Sequence, residues 1–348
     1  MEIGIMSGNR TRGPAFAALS VLAVLAALAA LCLGVLRPGS TGPAHAGPAS
    51  APGWSVDIRE VAPVADPPPA PGASTGSWTE DCGRNEGHHR NADNVVISPG
   101  ISMGAHHTHD YVGNLSTDAF STDDSLAAAG TTCTGGDRST FFWPVLRVPG
   151  GEGGGGDAHG AAAADGNTGT VLDPASVSIG FSGNPTGQVV PMPRFLRLVT
   201  GDAQAATDGG AHARAEWGCE GFPGRLSLRY TRCPVGHRLT TTLDFPSCWD
   251  GLRTDSADHR SHAVFPVAGG SCPPGTFPVP HLRVVVAYAV PPGTPVALDS
   301  FPEQRHDPST GHALFIDVMS DSRMAEVVAC INDGRHCRAG RTVPTGRP

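Results

Sequence analysis

A histidine-rich segment is the first part of this sequence whose residue types and spacing could support chemistry. Residues 106–114 read HHTHDYVGN. In an extended chain, residues two apart lie on one face, so His107 and His109 are expected to point the same way. Two imidazoles at this spacing can bind one divalent metal such as zinc, with Asp110 orienting a ring. Alternatively, His109, Asp110 and Tyr111 could carry protons in acid–base catalysis, or the segment could be a hydrogen-bonded structural cluster.

A second polar segment surrounds a cysteine and a tryptophan. Residues 245–251 read FPSCWDG, and His259 and His262 lie just downstream. Asp250 is a candidate catalytic carboxylate, and with Asp110 it would suit glycoside hydrolysis if the two lie about 5–10 Å apart. Asp followed by Gly is also a common turn signal. His262 is predicted to join the first segment as a metal ligand or catalytic group, and His259 to bind substrate.

Three further side chains are candidates for binding a sugar. Trp143 and Trp249 could stack on sugar rings through their apolar faces, although packing in the core is the alternative for each. Asn114 is predicted to bind the same ligand, and residues 114–116 also fit the N-glycosylation pattern. His312 stands alone beside apolar residues, which by itself is typical of a buried core histidine.

The composition excludes several classes of function. The chain has 348 residues and a formal net charge of −8, and its 24 basic residues are all arginine. Without lysine, pyridoxal-phosphate enzymes, Schiff-base aldolases and Walker A nucleotide binding are excluded, since each needs a lysine amine. No basic stripe is visible, so nucleic acid is not an expected partner. The 15 histidines favour metal binding or proton transfer.

The N-terminal residues 1–46 have the features of an export signal. Arg10 and Arg12 precede an uncharged apolar run at 16–36, and the sequence Ala-His-Ala at 44–46 fits a signal-peptidase site. The run is also long enough to span a bilayer, so an uncleaved N-terminal anchor is the alternative. The chain is therefore predicted to be secreted or at the cell surface, with membrane contact only through this segment.

Cysteine usage supports the same destination. Of the 9 cysteines, all but Cys32 lie beyond the N-terminal segment. An even number of cysteines in an exported chain predicts disulfides, four in this case. Sequence alone cannot choose among the roughly one hundred pairings that eight cysteines allow.

The elements that must position these residues are short strands. Glycine (46) and proline (32) are abundant, which disfavours a helical bundle and favours strands joined by many turns. Apolar runs bounded by Gly or Pro predict strands at residues 94–98, 140–148, 176–181, 194–200, 226–231, 238–245 and 281–290. Two short helices are predicted. One covers residues 122–129, and the other is capped by Asp321 and carries Met324, Val327, Val328 and Ile331 on one face. We predict a mainly β fold: a single β-rich domain, sandwich or jelly-roll-like, with long loops and a short C-terminal helix, stapled by disulfides.

Low-complexity stretches indicate the boundaries of that domain. Residues 47–77, rich in Pro, Ala and Gly, are predicted to be a linker, and residues 78–337 the β-rich domain. A Gly/Ala-rich loop is expected at residues 150–169, and a disordered tail at residues 338–348.

The spacing of these motifs resembles the DUF1996 family of uncharacterised secreted proteins. The resemblance covers about residues 95–332 and implies an exported protein in a cell-wall or extracellular polysaccharide setting. Carried over to this chain, the polar positions of the family motifs are His107, His109, Asp110, Asn114, Asp250, His259, His262 and His312. His312 is accordingly predicted as a further metal ligand, although Leu314 stands where the family tends to have an acidic residue.

Three functions follow from these patterns. The leading hypothesis is an exported carbohydrate-active enzyme, a hydrolase or lyase that acts on cell-wall or extracellular polysaccharide through the His/Asp cluster, with or without a divalent metal. The second is a non-catalytic glycan-binding or wall-organising protein that uses Trp143 and Trp249. The third is a surface metal-binding protein. Histidines within about 5 Å of one another in an open cleft would favour the first or third, and histidines spread over a flat aromatic face the second. Full burial of Tyr111 and the histidines, with backbone partners, would instead indicate a structural cluster.

Overall fold

The computed structural model describes residues 53–150, 165–214 and 216–340. The predicted signal peptide or anchor (1–46), most of the Gly/Ala-rich loop and most of the C-terminal tail lie outside these residues. Within the described part of the chain, no helix is both long and apolar enough to cross a membrane. All described residues fall within one unit, Gly47–Pro348.

Short strands dominate the described residues, which confirms the prediction of a mainly β fold. In chain order the strands are β1 (Ser55–Asp57), β2 (Ser77–Glu80), β3 (Arg90–Asn91), β4 (His109–Gly113), β5 (Thr140–Pro144), β6 (Leu146–Val148), β7 (Thr170–Val171), β8 (Ser176–Ser182), β9 (Arg197–Gly201), β10 (Glu216–Cys219), β11 (Tyr230–Arg232), β12 (Leu239–Asp244), β13 (Cys248–Trp249), β14 (Ala263–Val264), β15 (Phe277–Pro278), β16 (His281–Tyr288), β17 (Ala297–Leu298), β18 (His312–Ile316) and β19 (His336–Arg338). The helices are α1 (Asp123–Ala128) and α2 (Asp321–Asn332), with short 3-10 turns at Ile58–Glu60, Pro302–Gln304 and Pro308–Thr310.

Two sheets form the body of the protein. The larger has six strands in the order β10-β12-β16-β8-β2-β19, antiparallel except where β19 joins β2. The other has five strands in the order β3-β4-β5-β18-β9 and is antiparallel throughout. Three small sheets complete the fold: β1-β11, β14-β13-β15 and β17-β6-β7.

The two large sheets share one hydrophobic core. Phe181 and Leu282 of the six-stranded sheet and Phe141 and Phe315 of the five-stranded sheet all belong to the same buried cluster. The rings of Phe181 and Phe315 lie 6.2 Å apart, and those of Phe141 and Phe315 lie 5.0 Å apart. Alternation along the strands supplies these side chains, because residues two apart share a face. The architecture is therefore a β-sandwich.

The five-stranded sheet is buried on its other face as well. There Tyr111, Phe142, Leu314 and Ile316 pack together in a second cluster that includes Leu126 of α1. A sheet covered on both faces holds its side chains in dense surroundings with little freedom to move. This second face is the one that carries the histidines described below.

Local polar contacts explain where the elements depart from the sequence-based expectation. Residues 94–98, predicted as a strand, form turns, because the Asn94 side chain accepts hydrogen bonds from the backbone N–H groups of Val96 and Ile97. Both predicted helices are present. Thr122 and Ser125 form a capping box at the start of α1, and Ser320, rather than Asp321, caps α2.

Four disulfides cross-link the domain, as predicted from the even cysteine count. The pairs are Cys82–Cys133, Cys219–Cys233, Cys248–Cys272 and Cys330–Cys337. Because intracellular thiols are kept reduced, four disulfides are typical of an extracellular protein.

The segment predicted as a linker lies along the domain over its described part. Strand β1 pairs in parallel with β11. Further on, the backbone N–H groups of Val64 and Ala70 donate to the carbonyls of Gly224 and Pro185, both at 2.8 Å. Regular structure in this chain thus begins ahead of Trp78, the expected start of the domain.

Candidate metal centre

Three imidazoles meet on the second face of the five-stranded sheet. The Nε2 atom of His107 lies 3.1 Å from that of His109 and 3.1 Å from that of His312, and the last two are 3.4 Å apart. All three side chains are buried, so they do not lie in the open cleft expected of a catalytic site, and His109 and His312 have backbone partners as a structural cluster would. The feature that favours a metal is the meeting of the three Nε2 atoms. Three nitrogens that share one tetrahedral ion at about 2.0–2.1 Å lie roughly 3.3–3.4 Å from one another. The spacing of this histidine cluster therefore fits a single metal ion.

Strand register explains how residues distant in sequence come together. His109 in β4 lies opposite Pro144 in β5, and Leu314 in β18 lies opposite Phe142 in β5. His312, two residues before Leu314, therefore falls in the same row as His109 and Pro144. In this row the central strand β5 contributes the small ring of Pro144. In the next row the same strand contributes the larger ring of Phe142. The gap leaves room for two imidazoles to reach each other across three strands.

Backbone carbonyls fix the orientation of two of the rings. The Nδ1 atom of His109 lies 3.1 Å from the carbonyl oxygen of Asp93, and that of His312 lies 2.8 Å from the carbonyl of Thr310. A carbonyl only accepts hydrogen bonds, so Nδ1 carries the proton in both rings. Each Nε2 atom then presents a lone pair to the centre of the cluster, as in metal-binding histidines whose other nitrogen is held by the backbone.

His107 completes the cluster with a nitrogen that lacks a hydrogen-bond partner. Its Nδ1 atom is buried and unpaired, while its Nε2 atom faces both other rings. Without a metal, the Nε2 atom of His107 could donate at most one N–H to the other two rings. The lone pairs on Nε2 of His109 and of His312 would still face each other. A cation at the centre would use all three lone pairs at once.

Burial keeps the cluster uncharged. Desolvation lowers the pKa of His107 and His109 well below the usual value, and the neighbouring imidazoles lower both further. For His312, burial lowers the pKa to about 4. Neutral imidazole is the form that binds metals, so these histidines are in the binding form at neutral pH.

Phe301 packs against the histidine cluster. Its half-buried ring packs edge-on against His107, with 5.3 Å between centroids, and also contacts His106 at 5.7 Å. The more exposed His106 points away and pairs with Asp165 at 3.2 Å. The cavities of about 720 and 390 Å³ elsewhere in the protein are lined by none of the three cluster histidines.

The structure places His262 and His259 outside the cluster. His262 is buried, and both ring nitrogens are paired: Nε2 lies 2.6 Å from the carbonyl of Arg197, and Nδ1 lies 2.8 Å from the hydroxyl of Ser256. His259 is partly exposed and contacts Asp255 at 3.0 Å. With both nitrogens engaged, His262 has no lone pair left for an ion, and its contacts are structural.

Asp110 and Tyr111 are held by hydrogen bonds within the fold, and only Oδ2 of Asp110 is buried without a partner. Asp110 is buried and accepts hydrogen bonds from Arg90 at 2.6 Å and Asn85 at 2.7 Å. Burial raises its pKa, while Arg90 acts in the opposite direction. The Tyr111 hydroxyl lies 2.7 Å from the side-chain oxygen of Asn91 and 2.9 Å from the Asp93 carbonyl, and its single proton can be donated to either acceptor. Burial raises the pKa of Tyr111 well above its usual range, so its proton stays in this network.

Asp250 and Trp249 lie together on a turn away from the cluster. Asp250 accepts hydrogen bonds from the backbone N–H groups of Leu252 and Arg253, and it forms an ion pair of 2.7 Å with the Arg253 side chain. The half-buried Trp249 donates its indole N–H to the Arg253 carbonyl at 2.6 Å. Asp250 therefore stabilises the turn, and Trp249 packs beside it.

Trp143 and Asn114 are buried inside the fold. Only 1% of Trp143 is exposed, and it belongs to the core between the two sheets, so it offers no face to a sugar. The Asn114 amide donates to the carbonyls of Leu126 and Arg138 and is also buried, which leaves its glycosylation pattern inaccessible. The aromatic platform expected from the sequence is not formed by these residues.

Sequence reasoning missed the residues that support the cluster. Asp93 and Thr310 contact the cluster only through backbone carbonyls, Pro144 leaves space beside it, and Phe301 packs against His107. Every residue type has a backbone carbonyl, so a contact made by that carbonyl cannot be recognised from the sequence. Pro144 could have been found only from the row of residues opposite His109. That row can be written down only once the pairing of β5 with β18 is known.

Comparison with other proteins identifies a family but no relative of known activity. No curated protein and no solved structure matches this chain. A family model described as a domain of unknown function, DUF1996, matches residues 94–313, which include all three cluster histidines. This match spans more than half of the chain, and the protein therefore belongs to the DUF1996 family.

Proposed function

We propose that this protein is an extracellular metal-binding protein in which His107, His109 and His312 hold one divalent ion. The observation that carries the proposal is the approach of three buried Nε2 atoms to within 3.4 Å, with the outer nitrogens of His109 and His312 held by backbone carbonyls. A set of three neutral imidazoles suits Zn²⁺ or Cu²⁺, whereas Ca²⁺ and Mg²⁺ prefer oxygen ligands.

The position of the cluster in the fold gives the ion a structural consequence. His107 and His109 belong to the β4 side of the sheet, and His312 begins β18, 203 residues after His109. An ion bound to all three would join these strands across β5. Because the unfolded chain has no such site, binding would stabilise the folded state by about 2.7 kcal/mol at a free-ion concentration 100 times the Kd.

A metal-dependent enzyme is the second candidate function. Its specific support is the ligand count, since three protein ligands and one open position are typical of catalytic zinc sites, while structural sites use four. A hydrolase or lyase acting on cell-wall or extracellular polysaccharide would fit an extracellular protein of this type. The three histidines are buried, so this version requires the surrounding structure to open for a substrate.

The first test is the metal content of the full-length protein, exported by its host and purified without a histidine tag. After incubation with ZnCl₂ or CuSO₄ and removal of free ions, mass spectrometry should find about one ion per chain. His312→Ala should lose it, and His312→Gln supplies a second variant of similar volume. His106→Ala is the matched control, since His106 is adjacent in sequence but points away from the cluster.

Two outcomes would contradict the proposal. One is the absence of bound metal in the folded wild-type protein after incubation with either salt. The other is equal metal content in the wild type and in folded His312 variants, which would place the ion elsewhere. Circular dichroism of each variant separates loss of the site from loss of the fold.

A further inference from the structure

A groove of about 720 Å³ runs over the face of the six-stranded sheet that points away from the core. We call it the outer groove. Strands β2, β8 and β16 form its floor, and the segments around Pro67 and Phe265 form its walls. Its volume lies within the range of about 300–1,000 Å³ that is typical of small-molecule sites. None of the cluster histidines lines it.

Hydroxyl groups line the part of the floor that β2 and β8 form, while β16 contributes His281, Arg283 and Val285. Along β8 the buried Ile179 and Phe181 face the core, so Ser178 and Ser182 face outward. Ser77 of the adjacent strand β2 lies directly opposite Ser182. Rows of short hydroxyl side chains on a rigid sheet provide hydrogen-bond donors and acceptors in fixed positions.

Gly180 leaves the centre of this floor open. It lies between Ser178 and Ser182 on the outward face, opposite Thr79 of β2. A Cβ atom built at Gly180 would meet no other atom within 4 Å. The glycine thus creates free space within a strand, where a larger residue would normally be favoured.

The walls of the outer groove are mostly apolar. Pro67 and Pro69 line one side, and Phe265, Pro266 and Val267 line another. A ligand that fits must therefore present apolar surface to the walls and hydroxyl groups to the floor. Sugar rings have this combination, with C–H faces and a rim of hydroxyls.

The charged residues of the outer groove balance one another. Asp244 accepts two hydrogen bonds from Arg283, at 2.6 and 3.0 Å, and lies 3.3 Å from His281. The other two charged residues of the lining are Asp66 and Arg214, again one of each sign. Two acidic and two basic side chains cancel, so the groove offers no net charge to attract an ion.

We infer that the outer groove binds a short neutral oligosaccharide, with its hydroxyls on the serine and threonine side chains of β2 and β8 and its ring faces against Pro67, Pro69 and Pro266. The Phe265 ring is covered on one face by the Arg214 guanidinium, which lies 3.8 Å from the ring centroid. The site is separate from the histidine cluster, and its occupation does not depend on metal. The protein would therefore attach to glycans through a surface that is distinct from the metal centre.

The test is calorimetric titration of the full-length protein with cellohexaose, laminarihexaose, chitohexaose, xylohexaose, mannohexaose and maltohexaose. At least one should bind the wild type. Gly180→Ile should weaken that binding at least tenfold, because the side chain fills the groove and suits a strand. Gly87→Ile is the matched control and should bind like the wild type, since Gly87 is also in open space but does not line the groove.

A second variant tests the contribution of the floor hydroxyls without reducing the volume of the groove. Thr79→Val/Ser178→Ala removes two hydroxyls at nearly constant volume and should weaken binding several-fold. Failure of all six sugars to bind would overturn the inference, as would binding that folded Gly180→Ile leaves unchanged. Binding lost in His109→Ala but kept in Gly180→Ile would place the sugar at the histidine cluster and would also overturn it.

Discussion

The histidine cluster and the turn that carries His262 are built from similar residues and have different environments. In the turn, both ring nitrogens of His262 have fixed partners, a serine hydroxyl and a backbone carbonyl. In the cluster, His109 and His312 each have one nitrogen held by a carbonyl, and the other faces two more imidazoles. A candidate metal ligand therefore differs from a structural histidine in its ring nitrogens. One nitrogen of the candidate ligand has a fixed protein partner and the other is left for an ion, whereas both nitrogens of the structural histidine have fixed partners.

The largest expected effect is on metal affinity in the cluster. His109→Ala removes one of three ligands and should weaken Zn²⁺ binding by more than about 100-fold, since changes even in the groups that support metal ligands cost about 10–100-fold. Competition with a chelator of known affinity would measure this change. His106→Ala should retain the wild-type Kd, and a similar loss in both variants would contradict the account.

The turn should show the opposite behaviour, with loss of stability and no loss of metal. His262→Ala leaves a cavity and removes the donor to the Arg197 carbonyl, so the free energy of unfolding should fall by about 2–4 kcal/mol. His259→Ala, at a partly exposed position, should cost less than about 1 kcal/mol. Urea denaturation, with metal content measured on the same samples, checks both. Metal loss in folded His262→Ala would remove the distinction between the two regions.

Glu80 is a buried carboxyl group with one unpaired oxygen, and it should make the stability of the protein depend on pH. Oε1 of Glu80 accepts a hydrogen bond from the Trp78 indole at 2.7 Å, while the buried Oε2 has no partner. Burial raises the pKa of Glu80 to about 7. The folded protein thus keeps a proton that the unfolded chain releases at lower pH, and this contribution to stability is lost as pH rises from about 4.5 through 7.

Glu80→Gln isolates that contribution. The variant keeps the oxygen that accepts from Trp78 and cannot ionise, so it should be more stable than the wild type at pH 8 by about 1–3 kcal/mol. At about pH 4.5 the two proteins should be nearly equal in stability. Urea denaturation at both pH values measures the difference, and a difference independent of pH would contradict the assignment.

The smallest effect is expected at Asp250. Its ion pair with Arg253 is partly exposed, with 47% of the arginine side chain accessible. Exposed pairs are worth about 0–1 kcal/mol, so Asp250→Asn should change the free energy of unfolding by less than about 1 kcal/mol and leave metal content unchanged. The same denaturation and metal assays apply, and any marked loss of metal would link this turn to the cluster.

The sequence predicted much of the fold and part of the candidate site. The composition and the runs between glycine and proline indicated a β-rich domain, and the even cysteine count indicated four disulfides. The spacing of two residues between His107 and His109 predicted that their side chains would share a face if the segment were extended. These features depend on local periodicity or on counting, which a single sequence contains.

Other features depended on contacts between distant residues. His312 reaches the cluster through the pairing of β5 with β18, and no local pattern shows that register. His262 was grouped with the cluster because its neighbours are polar, yet Ser256 and the carbonyl of Arg197 take both ring nitrogens. Trp143 and Tyr111 carry polar groups, but the density of the surrounding core places them inside the fold.

The most direct test of the central claim is X-ray absorption spectroscopy at the zinc or copper edge of the metal-loaded, full-length protein. An ion bound by the three histidines should show about three nitrogen ligands at about 2.0–2.1 Å, with the outer-shell scattering of imidazole rings. His312→Gln should lose one imidazole from this pattern or lose the metal. A spectrum of oxygen ligands without imidazole scattering would contradict the assignment of His107, His109 and His312 as the metal site.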